Sequence, residues 1–249
     1  MLLTLDIGNT NIKSALFADQ SLKEFIVHSD EGKVFEYLNK ISFTEVAICS
    51  VNPRVEKLIA DNIASKGIKV FKANIQNKFN FKISYETPGT LGLDRVCSAA
   101  GAMEIAIKKE SLKKNQYLVT IDFGTATTIN IVSPSREFIG GLIAPGIITM
   151  IKSLNEKTAQ LPLPDLNFYK GVIGNSTYSS IISGVMTSTL GMINETINHL
   201  TEISNQNIPL IFATGGNAKH VLPHLKFEVI FDEALVLKGL KEIYDLNKS

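Results

Sequence analysis

LLTLDIGNTNIKSALFA at residues 2–18 and LVTIDFGTATTINIV at residues 118–132 are two copies of one pattern. In each copy an apolar run ends in Asp-x-Gly, small polar residues follow, and a second run has the composition of a β-strand. Asp6 corresponds to Asp122, 116 residues later. We therefore predict a strand, a tight glycine turn and a strand in each copy, in two similar halves of one chain.

Predicted strands and helices alternate through the rest of both halves. Apolar spacing predicts a helix that begins near Asp94, whose buried face carries Val96, Ala100, Met103 and Ile107. The other long helices are predicted at 31–41, from Pro53 after an Asn52 cap, at 147–158, at 177–201 and at 233–244. This alternation indicates an α/β fold with mixed β-sheets that are flanked by helices on both faces.

The boundary between the halves is predicted near residues 112–116, which gives domains of 1–114 and 115–249. Gly184 and Gly191 lie seven residues apart on one predicted helix. We expect these two glycines to let another helix of the chain pack closely, with a contact between two copies of the chain as the alternative.

The composition excludes several classes of protein. The net charge is +1, so there is no basic surplus of the kind that nucleic-acid proteins carry. No apolar run reaches the roughly 18 residues of a membrane span, and MLLTLD lacks the basic region of a secretory signal. We expect a cytoplasmic protein that binds neither nucleic acid nor membrane, with Cys49 and Cys97 as small buried hydrophobic residues.

The first glycine turn, DIGNTNIK at residues 6–13, has the groups that hold a phosphate. Gly8 permits a sharp turn and the close approach of a ligand, and residues 9–11 place side-chain donors beside exposed backbone N–H groups. Asp6 can hold a magnesium ion, directly or through water. Taken alone, the motif is more typical of an ordinary hairpin.

A second acidic glycine turn, DFGTATT at residues 122–128, changes that interpretation. Two such turns that face each other can clamp a triphosphate and its metal ion, and Thr214-Gly215-Gly216 gives a third point of close approach, suited to a nucleoside. This order of motifs resembles the actin, sugar kinase and Hsp70 ATPase superfamily. The resemblance implies two ribonuclease H-like, actin-like halves with ATP in the cleft between them. No Walker A or GxGxxG sequence is present.

The segment YETPGTLGLDRVCSAAGA, residues 85–102, resembles the Tyr…Pro…Leu-Gly-x-Asp-Arg segment of type III pantothenate kinases. Four further motifs agree with that family, in family order. They are DIGNTNIK, IDFGTATTINIV followed by GGLIAPGI at 140–147, NSTYSSIISGV at 175–185 and ALVLKGL at 234–240. The resemblance therefore runs the whole length of the chain.

The family resemblance implies a reaction and its cofactors. ATP and pantothenate would give ADP and 4′-phosphopantothenate, the first step of coenzyme A biosynthesis. The resemblance further implies Mg²⁺ with the ATP, a required monovalent cation (K⁺ or NH4⁺), and a homodimer.

The same resemblance assigns roles to residues. Asp94 is the proton acceptor, and Asp122 helps to bind the monovalent cation. The ATP-binding residues are Asp6, Ile7, Gly8, Asn9, Thr10, Asn11, Ile12, Lys13 and Thr125. The pantothenate-binding residues are Tyr85, Gly92, Leu93, Asp94, Arg95 and Thr177.

Elementary chemistry agrees with these roles but leaves alternatives open. A carboxylate at a helix N-terminus is favoured in its ionised form, so Asp94 could accept a proton from an attacking alcohol. Arg95 could bind a carboxylate or phosphate through its two-pronged guanidinium. Alternatively, Asp94 is a helix cap and Arg95 a surface ion-pair partner. Asp122 could instead cap its turn or meet Mg²⁺ through water, and Lys13 could face solvent on an edge strand.

One position departs from the family pattern. The family often has Asp where this chain has Asn130. If that acid positioned a metal or tuned the cation site, Asn130 would weaken the site.

Two other functions remain open from the sequence. One is a kinase of the same superfamily that acts on a sugar or short acid. The other is a nucleotide-binding regulatory protein without catalysis, resembling the Bvg accessory factors that share this fold. The intact Asp94-Arg95 pair, together with both glycine turns, favours a pantothenate kinase.

Overall fold

The computed structural model describes residues 1–248. The strands are β1 (Leu2–Ile7), β2 (Ile12–Ala18), β3 (Ser21–His28), β4 (Glu45–Ser50), β5 (Val70–Lys72), β6 (Lys82–Ile83), β7 (Leu118–Phe123), β8 (Ala126–Val132), β9 (Glu137–Pro145), β10 (Leu210–Thr214) and β11 (Ile230–Phe231). The helices are α1 (Glu31–Leu38), α2 (Pro53–Ser65), α3 (Leu93–Lys108), α4 (Ile147–Lys157), α5 (Thr177–Ile203), α6 (Ala218–Val221) and α7 (Leu235–Asn247). The predicted helices are all present, whereas β3 was not predicted.

The chain forms two compact units that differ from the contiguous halves 1–114 and 115–249 expected from the sequence. The first unit contains Met1–Ser111, Arg136–Ile139 and the chain from Ala234 onward, and the second contains Leu112–Ser135 and Gly140–Glu233. The chain leaves the first unit at Ser111, close to the predicted boundary. It returns twice, because β9 begins in the first unit and because α7 packs there on α3.

The first unit is built on a mixed sheet with the strand order β3-β2-β1-β4-β5. β1 pairs antiparallel with β2 and parallel with β4. One face of the sheet, which includes Leu3, Leu5 and Ile7, packs on α1 and α2 in a single apolar core. The helices α3 and α7 also contact this sheet. Every residue of β1 is buried, as expected for a strand in a sheet that is covered by helices on both faces.

The strands of the second unit follow the order β11-β10-β7-β8-β9. β7 is antiparallel to β8 and parallel to β10. Ile121, Phe123 and Ile129 lie in one core with Ile151 of α4 and with buried residues of α5. The predicted architecture of mixed sheets flanked by helices is confirmed. No helix within residues 1–248 is long and apolar enough to cross a bilayer.

The internal repeat forms two hairpins that differ by one residue in the turn. Ile7 pairs with Ile12, which leaves residues 8–11 in the first turn. Phe123 pairs with Thr127, which leaves only residues 124–126 in the second. Both turns close with a hydrogen bond from the glycine N–H, 3.1 Å in the first and 3.0 Å in the second.

Side-chain caps fix the starts of α1, α2 and α5. The Asn52 side chain accepts a hydrogen bond from the N–H of Val55, and Pro53 opens α2, as predicted. The buried face of α3 differs from the prediction at one position. Ile107 is 42% exposed, because the buried residues of α3 end at Ala106 and the following position faces out.

Two glycines let α3 and α7 touch through their backbones. A Cβ at Gly239 would overlap the carbonyl oxygen of Cys97, and a Cβ at Gly101 would overlap that of Leu235. Neither neighbour can move aside, since both are backbone atoms within helices. The expected close packing at Gly184 and Gly191 is wrong for this chain, because a Cβ at either position would meet no atom within 4 Å among the described residues.

We predict that Gly239→Ala destabilises the protein by about 1–3 kcal/mol, because overpacking of this contact exceeds the gain in helix propensity. The midpoint of urea unfolding measures the change. Gly184→Ala in α5 is the matched control, because its Cβ would enter open space and Ala favours a helix by roughly 1 kcal/mol over Gly. A Gly239→Ala protein as stable as the control would contradict the backbone contact.

Candidate active site

The first glycine turn is exposed and polar, while its flanking residues are buried. Asn9, Thr10 and Asn11 are exposed, and Gly8 is half-buried. The side chains of Ile7 and Ile12 lie in the core, at 0% and 4% exposure. The two isoleucines could therefore contact a ligand only through their backbone, whereas residues 9–11 present their side chains.

Asp6 on β1 lies between the neighbouring strands β2 and β4. It pairs directly with Lys13 on β2 and with Cys49 on β4, so these three side chains share one face of the sheet. Lys13 is half-buried, and β2 lies between β1 and β3. The alternative that Lys13 lies on an edge strand is therefore wrong.

The segment that contains Asp94 forms the first turn of α3. Gly92 is the N-cap, and Asp94 Oδ1 accepts a hydrogen bond of 2.9 Å from the N–H of Arg95. The carboxylate lies so close to Gly92 that a Cβ there would be 2.6 Å from Asp94 Oδ1. Gly92 thus leaves room for the carboxylate at the N-terminus of α3.

Asp6 and Asp94 converge on one buried thiol. Cys49 is fully buried, and its hydrogen bond with the Cys97 thiol, together with burial, raises the pKa of the Cys49 thiol. The nearby charges of Asp6 and Asp94 raise this pKa further. The two cysteines are free and buried, as predicted. Their hydrogen bond joins β4, the parallel neighbour of β1, to α3.

Arg95 is buried and lies against two aromatic rings. It is 5% exposed, and its guanidinium carbon lies 5.9 Å from the ring centroid of Tyr85 and 5.8 Å from that of Phe138. These distances are those of cation–π contacts. The alternative that Arg95 is a surface ion-pair partner is therefore wrong. The structure brings Tyr85 and Arg95 together, as expected for one binding segment.

The second glycine turn is held by three donors, two at the start of α4 and one at the N-cap of α6. The N–H of Gly146 donates to the carbonyl oxygen of Thr125 at 2.9 Å, and Thr149 Oγ1 donates to the same oxygen at 2.6 Å. Asn217 Nδ2 donates to the carbonyl oxygen of Gly124 at 3.2 Å. The side chain of Thr125 is exposed. The backbone of this turn is thus fixed by hydrogen bonds to two of its carbonyl oxygens.

Asp122 lies between the second turn and the Thr-Gly-Gly turn. A Cβ at Gly215, where φ is +98°, would overlap Asp122 Oδ1, and a Cβ at Gly124 would lie 3.6 Å from it. Only glycine fits at position 215, both for its left-handed backbone and for the proximity of this carboxylate.

The groups around Asp122 are oxygen donors. Residues 1–248 contain no group of three or more His, Cys, Asp or Glu side chains that could hold a metal ion. Asp122 pairs with Thr128 on β8 and with Thr214 on β10, so one carboxylate and two threonine side chains share a face of the sheet. Such oxygen ligands suit Mg²⁺ or a monovalent cation rather than zinc. The residues present thus fit the kind of cation that the sequence implies.

Asn130 is a buried neutral member of a strand pair. It is 1% exposed, lies opposite Thr120, and donates from Nδ2 to Thr120 Oγ1 at 3.1 Å. A carboxylate at this position could not donate that hydrogen bond. The amide is therefore matched to its own neighbour.

Thr177 lies in the second unit as the first residue of α5, and it is exposed. Ser176 and Ser179 form a capping box that fixes this helix start. The sequence did not single out Phe138, Asn217 or Thr149. Asn217 had a usable signal, since it follows Thr-Gly-Gly directly, whereas the contact of Phe138 with Arg95 is non-local.

The chain matches the family model of type III pantothenate kinases over residues 2–199. A type III pantothenate kinase of Finegoldia magna is 32% identical over 266 aligned positions, which cover 100% of this chain and 98% of the relative.

Two solved structures share the fold. A Campylobacter jejuni protein named as a candidate Baf family transcriptional activator has a TM-score of 0.65 and 19% identity, over 98% of each chain. A Listeria monocytogenes protein named as a candidate N-acetylmannosamine kinase has a TM-score of 0.50 and 13% identity, over 99% of each chain. At these identities the two structures show the fold alone. The sequence relatives decide the family: the chain belongs to the type III pantothenate kinases and is a kinase.

Proposed function

We propose that this chain transfers the γ-phosphate of ATP to the primary hydroxyl of pantothenate, which gives ADP and 4′-phosphopantothenate, with Asp94 as the general base. The observation that carries the proposal is that Asp6 pairs with Cys49 in the sheet, that α3, whose first turn holds Asp94, contacts the strand of Cys49, and that the chain belongs to this family. A phosphate-binding turn and a carboxylate beside one another are what the reaction requires.

Asp94 acts on the acceptor alcohol. Its Oδ1 is engaged by the N–H of Arg95, which orients the carboxylate, and Oδ2 is then the oxygen that takes the proton. Phosphoryl transfer passes through a loose transition state, so the base mainly orients the hydroxyl and accepts its proton late.

The nucleotide would be held through its phosphates. We assign its contacts to residues 6–13 and to Thr125, with the backbone of Ile7 and Ile12 and the side chains of residues 9–11. Lys13, opposite Asp6 in the sheet, places a positive charge at the base of the turn. Magnesium, when bound with ATP, neutralises charge on the phosphates, and Asp6 is the carboxylate best placed to orient it.

The acceptor would be held by Tyr85, by the segment from Gly92 to Arg95, and by Thr177. The guanidinium of Arg95 suits the carboxylate of pantothenate, because a two-pronged donor binds a planar carboxylate through parallel hydrogen bonds. We further infer a required monovalent cation at Asp122, a homodimer and a cytoplasmic location, all of which rest on the family resemblance.

We predict that Asp94→Asn lowers kcat by about 10²- to 10⁴-fold with ATP binding unchanged, because the amide cannot accept the proton. ADP release with ATP, Mg²⁺ and pantothenate measures kcat, and calorimetry measures ATP binding. Asp19→Asn is the matched control, since Asp19 is exposed in the β2–β3 turn with φ of +51°, which Asn also tolerates.

Equal turnover by the Asp94→Asn and Asp19→Asn proteins would show that Asp94 is not the base. A wild-type protein that binds ATP and stays inactive with pantothenate would instead favour the regulatory function, or another acceptor alcohol.

We predict that wild-type turnover needs K⁺ or NH4⁺ and is lost when Na⁺ replaces them at the same ionic strength. Asp122→Asn should remove this stimulation, because it removes the carboxylate charge beside the proposed cation site. Glu195→Gln, an exposed acid on α5, serves as control. Full activity in Na⁺ would refute the cation requirement, and unchanged K⁺ stimulation of Asp122→Asn would refute its assignment.

We predict that Asn217→Ala raises the KM for ATP about 3- to 10-fold, because the second turn loses the hydrogen bond at Gly124. Initial rates at varied ATP measure it. Asn207→Ala is the matched control, since Asn207 Nδ2 likewise donates to a backbone carbonyl, that of Ser204 at 2.8 Å. The role of Asn217 is disproved if both variants keep the wild-type KM for ATP.

A further inference from the structure

Phe138 joins Tyr85 to Arg95. Its side chain is fully buried, with its ring centroid 6.3 Å from that of Tyr85 in an edge-on arrangement. The carbonyl oxygen of Phe138 accepts a hydrogen bond of 2.9 Å from the N–H of Ser84, the residue before Tyr85. With the cation–π contact to Arg95 at 5.8 Å, one residue thus contacts two of the predicted pantothenate-binding side chains, those of Tyr85 and Arg95.

We propose that Phe138 is a positioning residue for the acceptor substrate, which fixes the guanidinium of Arg95 and the ring of Tyr85 in the geometry that binds pantothenate. This inference rests on the proposed function. It assigns a role to a residue outside the motifs of the sequence analysis, at the start of β9.

The physical reason lies in the arginine. An arginine side chain has many rotamers. Unless the protein already fixes one of them, the entropy lost in ordering the side chain weakens ligand binding. The rings of Tyr85 and Phe138 meet at 68°, so the guanidinium lies in a corner between two aromatic faces. Each ring face is negative, so the corner attracts the cation as well as confining it.

Burial strengthens the effect. Arg95 is 5% exposed, so little water competes for its charge, and cation–π contacts are stronger when they are desolvated. An aliphatic residue at position 138 could fill the same space but would present no negative face. The two properties, volume and ring face, can therefore be separated by substitution.

Phe81 provides the comparison within the same cluster. It is 7% exposed and stacks on Phe138 with centroids 6.1 Å apart, and it stacks on Phe79 at 5.9 Å. The guanidinium of Arg95 lies over the rings of Tyr85 and Phe138. Replacing Phe81 thus removes a comparable buried ring from the cluster but leaves both rings that hold Arg95.

The test compares Phe138→Leu with Phe81→Leu in the ADP-release assay, with thermal midpoints measured for both. Phe138→Leu should raise the KM for pantothenate about tenfold, with kcat and the KM for ATP within about twofold of wild type. Phe81→Leu should lower the thermal midpoint comparably, with the KM for pantothenate within about twofold. Phe138→Met, a flexible side chain of similar volume, replaces Phe138→Leu if the latter does not fold.

A double-variant cycle asks whether Phe138 acts through Arg95. In an Arg95→Gln background, Phe138→Leu should raise the KM for pantothenate less than twofold further. The inference is overturned if the two substitutions multiply fully, if Phe138→Leu leaves this KM unchanged, or if Phe81→Leu raises it equally. A wild-type protein without pantothenate-dependent turnover overturns the proposed function itself, which separates the two failures.

Discussion

The first unit depends on the direct backbone contact between α3 and α7. Because Gly101 and Gly239 have no side chains, each helix lies against carbonyl oxygens of the other. This contact fixes the middle of α3, and the first turn of the same rigid helix carries Asp94 and Arg95. A side chain at either glycine would push the helices apart. The position of the proposed base is therefore set by residues that never touch a ligand.

The sequence predicted what local chemistry determines. The glycine turns, the start of α2 at Asn52 and Pro53, and the start of α3 near Asp94 all follow from patterns within a few residues. β3 was not predicted, because its first four residues are exposed. Its sequence therefore lacks the strong alternation of apolar and polar residues that marks a half-buried strand. The packing of α7 in the first unit was not predicted either. Its partner Gly101 lies far away in sequence, and no local pattern indicates such a contact.

The candidate site shows the same contrast between local patterns, which the sequence reveals, and long-range contacts, which it does not. Residues of the motifs could be named in advance, and Asp6, Asp94, Arg95 and Tyr85 are found in one unit. Their supports could not be named, because these depend on distant segments. Phe138 reaches Arg95 from β9, and Asn217 reaches Gly124 across the second unit. A motif specifies which groups are present, whereas the tertiary packing decides which of them are held rigidly.

The two copies of the repeat share one sequence pattern, but their turns differ in length and in how they are held. The first turn, one residue longer, leaves three polar residues exposed, while the second has its carbonyl oxygens held by Gly146, Thr149 and Asn217.

A phosphate donor that binds to the first unit needs positive charge to offset the negative charge of its phosphates. Asp6 and Asp94 supply two negative charges, and the raised pKa of Cys49 keeps a third from forming beside them. Lys13 lies opposite Asp6 in the sheet, and Arg95 follows Asp94 in the sequence, so two cationic side chains accompany the two carboxylates. A triphosphate adds several more negative charges, which the side chains of Lys13 and Arg95 cannot neutralise as well. Mg²⁺ bound with ATP would supply the missing positive charge, and Asp6 is the carboxylate that we propose to orient it.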